Sequence, residues 1–400
     1  MSNDINAQKS VRNESDRRKT AKIADANCMQ NEKAHWIKSA DTAKKILRSR
    51  KGYQAGAGAD LIKFDNPEHL SVFFLDGEIH ATKKRKTQQF LSPKAVSERH
   101  QKVMESASEH LLAEFQRTGK ANLEDISFKL AAEVVGVILG LTNSKQDSRV
   151  KHIRQFMNET IGEQKNGWAG VLQRLRQAIF IGVFYWCDVR PAIKARKISP
   201  KDDAISFYLK ERYPLKSTLL ECLTYGTAGM MTTREFIVMA AWYLFEDPAL
   251  RNRYMSGDKQ DQLAILLEIL RLEPPAAVVF RRLEEELSIA AETLLPAGER
   301  YGIDLRAANV DEALVGECPF TVDPDRAQRI HNSGKYMSFG DGPHSCPGWQ
   351  VALHETRIFL VKLFQIPGLK LERAPDVEWH AQLKSYKLRN AVITCDRKET

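Results

Sequence analysis

The sequence predicts a mainly α-helical chain with small β-sheets, an α+β fold, and three observations carry that expectation. Between Ala95 and Leu141 apolar residues recur at three- and four-residue intervals, the period of helices with one buried face. From Leu215 to Phe245 a long helical stretch runs until Glu246-Asp247-Pro248 closes it. Beyond Pro274-Pro275 the pattern changes to short β-branched and alternating segments around a Pro296-Ala297-Gly298 turn, which predicts small strands.

In chain order, Asp41–Arg48 opens on an Asp cap and has helical spacing. Residues 52–77 are irregular, with Gly56, Gly58 and Pro67 set among Phe64, Phe73 and Phe74. Helix returns over 78–90 and carries the basic run Lys83-Lys84-Arg85-Lys86. The 95–141 stretch divides near Gly119 into two packed helices. Residues 150–197 are helical and aromatic-rich, with Trp168, Phe180, Phe184, Tyr185 and Trp186. After the long helix another covers 261–272. Strands are expected within 276–310, then a Pro-, Asp- and Gly-rich meander from Gly316 to Gly348, a helix from Trp349 to Gln365, and short strands over 366–400. No repeat or linker divides the chain. The expectation is one domain over residues 31–400, behind a disordered basic tail of residues 1–30.

With 400 residues the chain can bury a large core, and 43% hydrophobic with 28% charged residues describes a globular protein. The net charge of +9 raises nucleic acid, membrane surfaces and acidic partners as candidates. Residues 1–50 hold 12 Lys/Arg against 6 Asp/Glu, so six of the nine charges sit there. Nucleic acid is set aside, because a binder of this size presents a broader basic face. No apolar run approaches the ~18–20 residues that span a bilayer. The N-terminal MSNDINAQKSVRNESDRRKTAK has no apolar segment, so no secretory signal is expected. Six cysteines without a close pair argue for reduced thiols in a cytoplasm and against a zinc cluster.

The chemistry concentrates in Phe339-Gly340-Asp341-Gly342-Pro343-His344-Ser345-Cys346-Pro347-Gly348. A tight glycine loop delivers a cysteine into an apolar helix, with Pro347 suited to its first turn. Unpaired N–H groups and the positive dipole end there favour a thiolate. Gly342 and Gly348 permit a close backbone approach to a flat ligand. An anionic sulfur with backbone donors and no bulky neighbours meets the demands of an axial ligand to haem iron.

This segment resembles the cytochrome P-450 haem-thiolate monooxygenases of the soluble bacterial type, whose signature is Phe-x-x-Gly-x-His/Arg-x-Cys-x-Gly. Chance agreement at the four fixed positions falls below ~1 in 1000 at this composition. The resemblance implies that Cys346 ligates the iron of haem b, with Phe339, Gly342, His344 and Gly348 around it. Glu268-Ile269-Leu270-Arg271 before Pro274-Pro275 is similar to the family's Glu-x-x-Arg, and Asp323-Pro324-Asp325-Arg326 to its Pro-Asp-Arg. Glu268, Arg271 and Arg326 are then a structural network behind the haem. Lining up on Leu294–Glu299 places Arg282 at a haem propionate, with Arg281 the rival by one residue. Asp76–Arg85 resembles the family's Asp-x-x-x-His-x-x-x-Arg. His80 matches, and Lys84 stands where Arg is usual, a point charge in place of a bidentate fork.

Ala228-Gly229-Met230-Met231-Thr232-Thr233 lies mid-way along the long helix, where Thr hydroxyls bond back to the preceding turn and open a groove. The family keeps Ala-Gly-x-Asp/Glu-Thr-Thr there, so Ala228 and Gly229 match the oxygen side and Thr232 its threonine. The acid is replaced by Met231, which relays no proton, and Glu235 is the candidate substitute. The missing acid raises oxidative coupling, desaturation or peroxide-driven oxidation as an alternative to hydroxylation. A haem protein that binds or senses without turnover is the rival from another class. His35-Trp36-Ile37 arrives earlier than in most soluble relatives, so the first helix and strand are expected to be shortened.

The resemblance implies a pocket lined by Phe64, Phe73, Phe74, Trp168, Phe180, Met230, Ala276, Ala277, Val278 and Val279. Apolar walls point to an apolar small molecule, a terpenoid or other secondary metabolite. O2 is the co-substrate, with electrons from NAD(P)H through a separate ferredoxin and ferredoxin reductase. The protein is expected to be monomeric and cytoplasmic, and Lys83–Lys86 to dock the acidic ferredoxin.

Overall fold

The computed structural model describes residues 16, 18–30, 32–56, 66, 69–160, 166–290, 293–381 and 383–398. The chain begins with α1 (Ala21–Asn27), β1 (His35–Ile37), α2 (Ala40–Arg48), β2 (Gly52–Ala55) and α3 (Gly77–Gln88). Next come α4 (Gln101–Thr118), β3 (Lys120–Asn122), α5 (Leu123–Leu139), α6 (Gln146–Thr160), α7 (Gly167–Phe184), α8 (Arg190–Ile198) and α9 (Ala204–Lys210). The 32-residue α10 (Leu215–Glu246) is followed by α11 (Pro248–Ser256) and α12 (Lys259–Leu272). Strands β4 (Val278–Leu283), β5 (Leu287–Ala290), β6 (Thr293–Leu295) and β7 (Arg300–Asp304) precede the meander and α13 (Trp349–Phe364). The chain closes on β8 (Lys370–Arg373), β9 (Asp376–His380), β10 (Ser385–Arg389) and β11 (Val392–Thr394).

Capping chemistry sets these boundaries. Gly119, at a left-handed φ of 72°, ends α4 where the sequence predicts the break. The Asp247 side chain accepts from Leu250 N–H and places Pro248 in the first turn of α11. Asp258 caps α12 by accepting from Gln260 and Asp261, which starts that helix two residues before the expected Asp261.

The largest sheet has the order β1-β7-β4-β2, with β1 parallel to β7 and the other pairs antiparallel. Strands β9 and β10 form a separate hairpin, and β3-β11-β8 a third sheet. The main core lies among α4, α5, α10, α12 and α13, and α10 packs most closely on α5. A Cβ on Gly229 would stand 2.9 Å from Val135 Cγ2, so glycine sets that helix separation.

The expected disordered tail over residues 1–30 is corrected in its described part. Thr20 is wholly buried, and its N–H and hydroxyl, with the N–H of Lys19, donate to the Glu273 carboxylate. Ala24 and Cys28 of this segment pack against Ala277, Val278 and Phe280. A buried carboxylate at the end of α12 needs donors, and this segment supplies them. Residues 1–15 lie outside the described residues.

Candidate active site

The Cys346 loop is held from three sides. Cys346 N–H donates to Phe339 O at 2.8 Å, closing the loop on itself. The Asp341 carboxylate accepts from Gly342 N–H at 2.7 Å and from Arg48 Nε of α2 at 2.9 Å. Gly342 has φ +66°, and a Cβ there would fall 2.2 Å from Leu47 O. The close approach expected of this glycine is therefore to the backbone of α2. Lys84 Nζ reaches across from α3 to the carbonyls of Pro343 and Ser345. Burial pushes the Cys346 thiol up, opposed by the N–H groups of Gly348 and Trp349 and by the Lys84 and Lys335 cations. Those four groups are the ones that stabilise a sulfur anion.

Behind the loop, Arg271 grips Glu268 with two bonds, Nε to Oε1 at 2.8 Å and Nη2 to Oε2 at 2.9 Å. Arg326 Nε reaches the same carboxylate at 3.4 Å. The remaining guanidinium donors meet carbonyls of Asn309, Pro319, Thr321, Val315, Glu317 and Cys318. All three side chains are buried and mutually paired, the condition under which interior charges are tolerated. Asn309 and Ser338 extend the network without a sequence signal: Asn309 bonds Met337 N–H and Ser338, and Ser338 bonds Leu270 O. The meander is thereby tied to α12 just before Phe339.

A second group of polar side chains gathers beside the loop. The rings of His80 and His344 stack at 4.1 Å, and His344 Nε2 lies 2.8 Å from Asp76 Oδ1. Burial, then His344 and Lys84, push His80 down to about 4. Arg281 is buried nearby, and burial pushes its guanidinium down to about 10. Among the described residues it donates to the Phe280 carbonyl and has no carboxylate within ion-pair distance. Arg282 points the other way and donates to Gly298 O at 3.0 Å.

On α10, Tyr225, Ala228 and Thr232 fall on one helix face, and Ala228 is exposed between half-buried Thr227 and Gly229. The Tyr225 hydroxyl donates to Thr87 Oγ1 at 3.3 Å, and its ionisation is raised by burial, Glu221 and the Cys346 sulfur. This face of α10 therefore looks toward the Cys loop. Thr232 Oγ1 donates back to Ala228 O at 2.7 Å, the expected bond to the preceding turn.

The family model for cytochrome P-450 matches residues 263–377, which span the Glu268 network and the Cys346 loop. The chain is 28% identical over 291 residues to "Biotin biosynthesis cytochrome P-450" of Bacillus subtilis (strain 168), covering 71% of this chain and 69% of that one. The chain belongs to the cytochrome P-450 family. "Steroid C26-monooxygenase" of Mycolicibacterium smegmatis is 23% identical over 349 residues, 84% of this chain and 82% of that protein. The crystal structure of CalO2 shares the fold, at TM-score 0.76 and 19% identity, over 96% of this chain and 97% of that one. The protein is a cytochrome P-450 monooxygenase, and the family works with haem, O2 and electrons from redox partners.

The donor set of this cytochrome P-450 fits an iron porphyrin. A sulfur at a helix start would hold the iron. Arg281, buried with no ion pair among the described residues and only the field of Asp76 to offset its burial, and the stacked imidazoles of His80 and His344 suit the porphyrin's carboxylates. Several expectations are corrected. Arg281, not Arg282, faces this cluster, because alternate residues of a strand point to opposite sides. Gly229 serves the contact with Val135. Lys84 clamps loop carbonyls, which leaves the carboxylate role to Arg281. Glu235 is buried and accepts from Leu388 N–H, Arg389 and Arg234, so it anchors β10 and is not free to stand in for the acid that Met231 replaces.

The pocket list also changes. Met230 is fully buried beside Ile153, Phe156 and Phe184, on the side of α10 toward α6. Val278 packs against α1, and Val279 against the cluster under α2. Trp168 is 89% exposed and lines no interior pocket. Phe73 is exposed and meets Phe74 edge-on at 5.1 Å. Ala276 stays partly exposed and bridges to Ser385. Phe64 lies outside the described residues.

Proposed function

We propose that this cytochrome P-450 hydroxylates an apolar small molecule, of terpenoid or other secondary-metabolite type, with a haem whose iron Cys346 would hold. The observation that carries the reading is Cys346 at the start of α13, served by the Gly348 and Trp349 N–H groups and steadied by Lys84. Bound haem b would supply the activation of O2 with electrons from a separate partner. The chain's own residues hold and orient. Gly348 and Trp349 N–H groups would stabilise the sulfur anion, and His80, His344 and Arg281 would hold the propionates. The Thr232 hydroxyl donates to Ala228 O, and its oxygen keeps acceptor capacity with which it would hold a proton on the oxygen side. A steroid named as the substrate of one relative is in keeping with an apolar ligand.

The electron route runs from NAD(P)H through ferredoxin reductase and an acidic ferredoxin. The docking cluster shrinks from the expected four residues. Lys83 is buried and paired with Glu221 at 2.8 Å, which leaves exposed Arg85, with Lys86 beside Glu211, to meet the partner. No helix among the described residues is long and apolar enough to cross a membrane, and a cytoplasmic location belongs to this reading. The reduced, CO-bound absorption spectrum tests it: a red-shifted thiolate Soret band is expected, and its persistence in Cys346→His would refute the ligand.

A second reading follows from the oxygen side. Met231 offers no proton and Glu235 is occupied elsewhere, so a reaction with a smaller demand for protons, such as oxidative coupling, desaturation or peroxide-driven oxidation, is favoured by that observation. Product formation with hydrogen peroxide alone, unchanged in Thr232→Ala, would select it over partner-driven hydroxylation.

A further inference from the structure

Helix α7 is amphipathic in the reverse sense. Its buried residues are Gly170, Gln173 and Phe184, while Trp168, Val171, Leu172, Leu175 and Ile179 are exposed, with Trp168 at 89% and Leu175 at 57%. At 100° per residue these five fall within an arc of about 100°, and Trp186, in the π-turn that follows, continues the stripe. From Trp168 to Trp186 the stripe is about 27 Å long. Exposed Arg176 flanks it on one side and exposed Arg174 on the other. Of the large exposed hydrophobic side chains among the described residues, most belong to this one helix and its continuation, which ends on Ile198.

Charge selects the occupant. Residues 167–198 carry Arg174, Arg176, Arg190, Lys194, Arg196 and Lys197, of which Arg196 is buried on Asp203. Their one acid, Asp188, is buried against His152. A second copy of the same surface would bring like charges together across the stripe. An anionic lipid surface suits both features: aliphatic and indole groups enter the acyl boundary while arginine stems lie along the stripe and their heads meet phosphates. We propose that α7 docks this protein, lying flat, onto an anionic lipid bilayer. The stripe is far short of a spanning segment, in agreement with the absence of a membrane-crossing helix among the described residues.

Sedimentation of the full-length protein with sucrose-loaded vesicles tests this, comparing phosphatidylglycerol/phosphatidylcholine with phosphatidylcholine alone. Binding to the anionic vesicles is expected, weakened by added salt, with tryptophan fluorescence quenched by brominated lipid. Leu172→Gln/Leu175→Gln/Ile179→Gln and Arg174→Glu/Arg176→Glu should each bind about tenfold more weakly with unchanged circular dichroism. Three results would overturn the proposal. One is no binding to anionic vesicles, which would leave an acidic protein as the occupant. Another is equal binding by both variants, which would place the contact elsewhere, such as the basic N-terminus. The last is a dimer in sedimentation velocity that the leucine variant abolishes, which would assign the stripe to a second copy.

Discussion

Arg281 and Arg282 are neighbours on one strand and meet opposite environments. Arg281 is buried beside the stacked His80 and His344, whereas Arg282 leans on the Gly298 carbonyl at the surface. Arg281→Met should therefore release haem more readily than the unmodified protein, measured as transfer to apomyoglobin, and Arg282→Met should not. A second residue-scale expectation concerns Glu355 of α13, which is buried with Oε1 unpartnered among the described residues and is pushed from 4.5 to about 8 by burial alone. A carboxyl whose folded value is raised binds more protons folded than unfolded between those two limits. Its stabilising contribution is thus complete below about pH 4.5 and is lost as pH rises toward 8. Glu355→Gln should flatten this part of the Tm profile and melt higher than the parent at pH 8.

At the scale of elements, helix contacts dictate residues that a sequence motif alone would give to the cofactor. Gly229 sits within the oxygen-side pattern, yet its missing side chain admits Val135 of α5. Valine is stiff at its branch and yields little. Gly229→Ala should lower stability by ~1–3 kcal/mol in urea unfolding, through overpacking of the α5–α10 contact. The basic run on α3 divides in the same way, because successive helix positions point in different directions. Lys83 turns inward to Glu221, Lys84 to the Cys loop, and Arg85 outward to solvent.

Across the whole molecule, the segment before β1 closes the structure. Thr20 and Lys19 satisfy Glu273 at the end of α12, while Tyr243 adds a further donor at 3.2 Å. Removing residues 1–30 would leave that buried carboxylate short of donors and strip Ala24 and Cys28 from Ala277 and Phe280. The truncated protein is expected to melt several degrees lower, and Thr20→Val to reproduce part of the loss. An unchanged Tm in both would show that the segment carries no stability.

The α+β class, the long helix and the Cys346 loop were legible in the sequence because each rests on local chemistry. Periodic apolar residues, a proline-led stop and a glycine turn act within a few positions of one another. The Glu268 network was legible for a different reason: its spacing and the Pro-Asp-Arg run together resemble a known pattern. What tertiary structure alone decided is direction. Whether Arg281 or Arg282 faces the imidazoles depends on strand register, and the use of Glu235 depends on where β10 arrives. The +9 charge and the aromatic-rich helical stretch over residues 150–197 were visible in the sequence. Only the packed helix shows that its apolar face is the outer one, because burial is a property of neighbours brought from elsewhere in the chain.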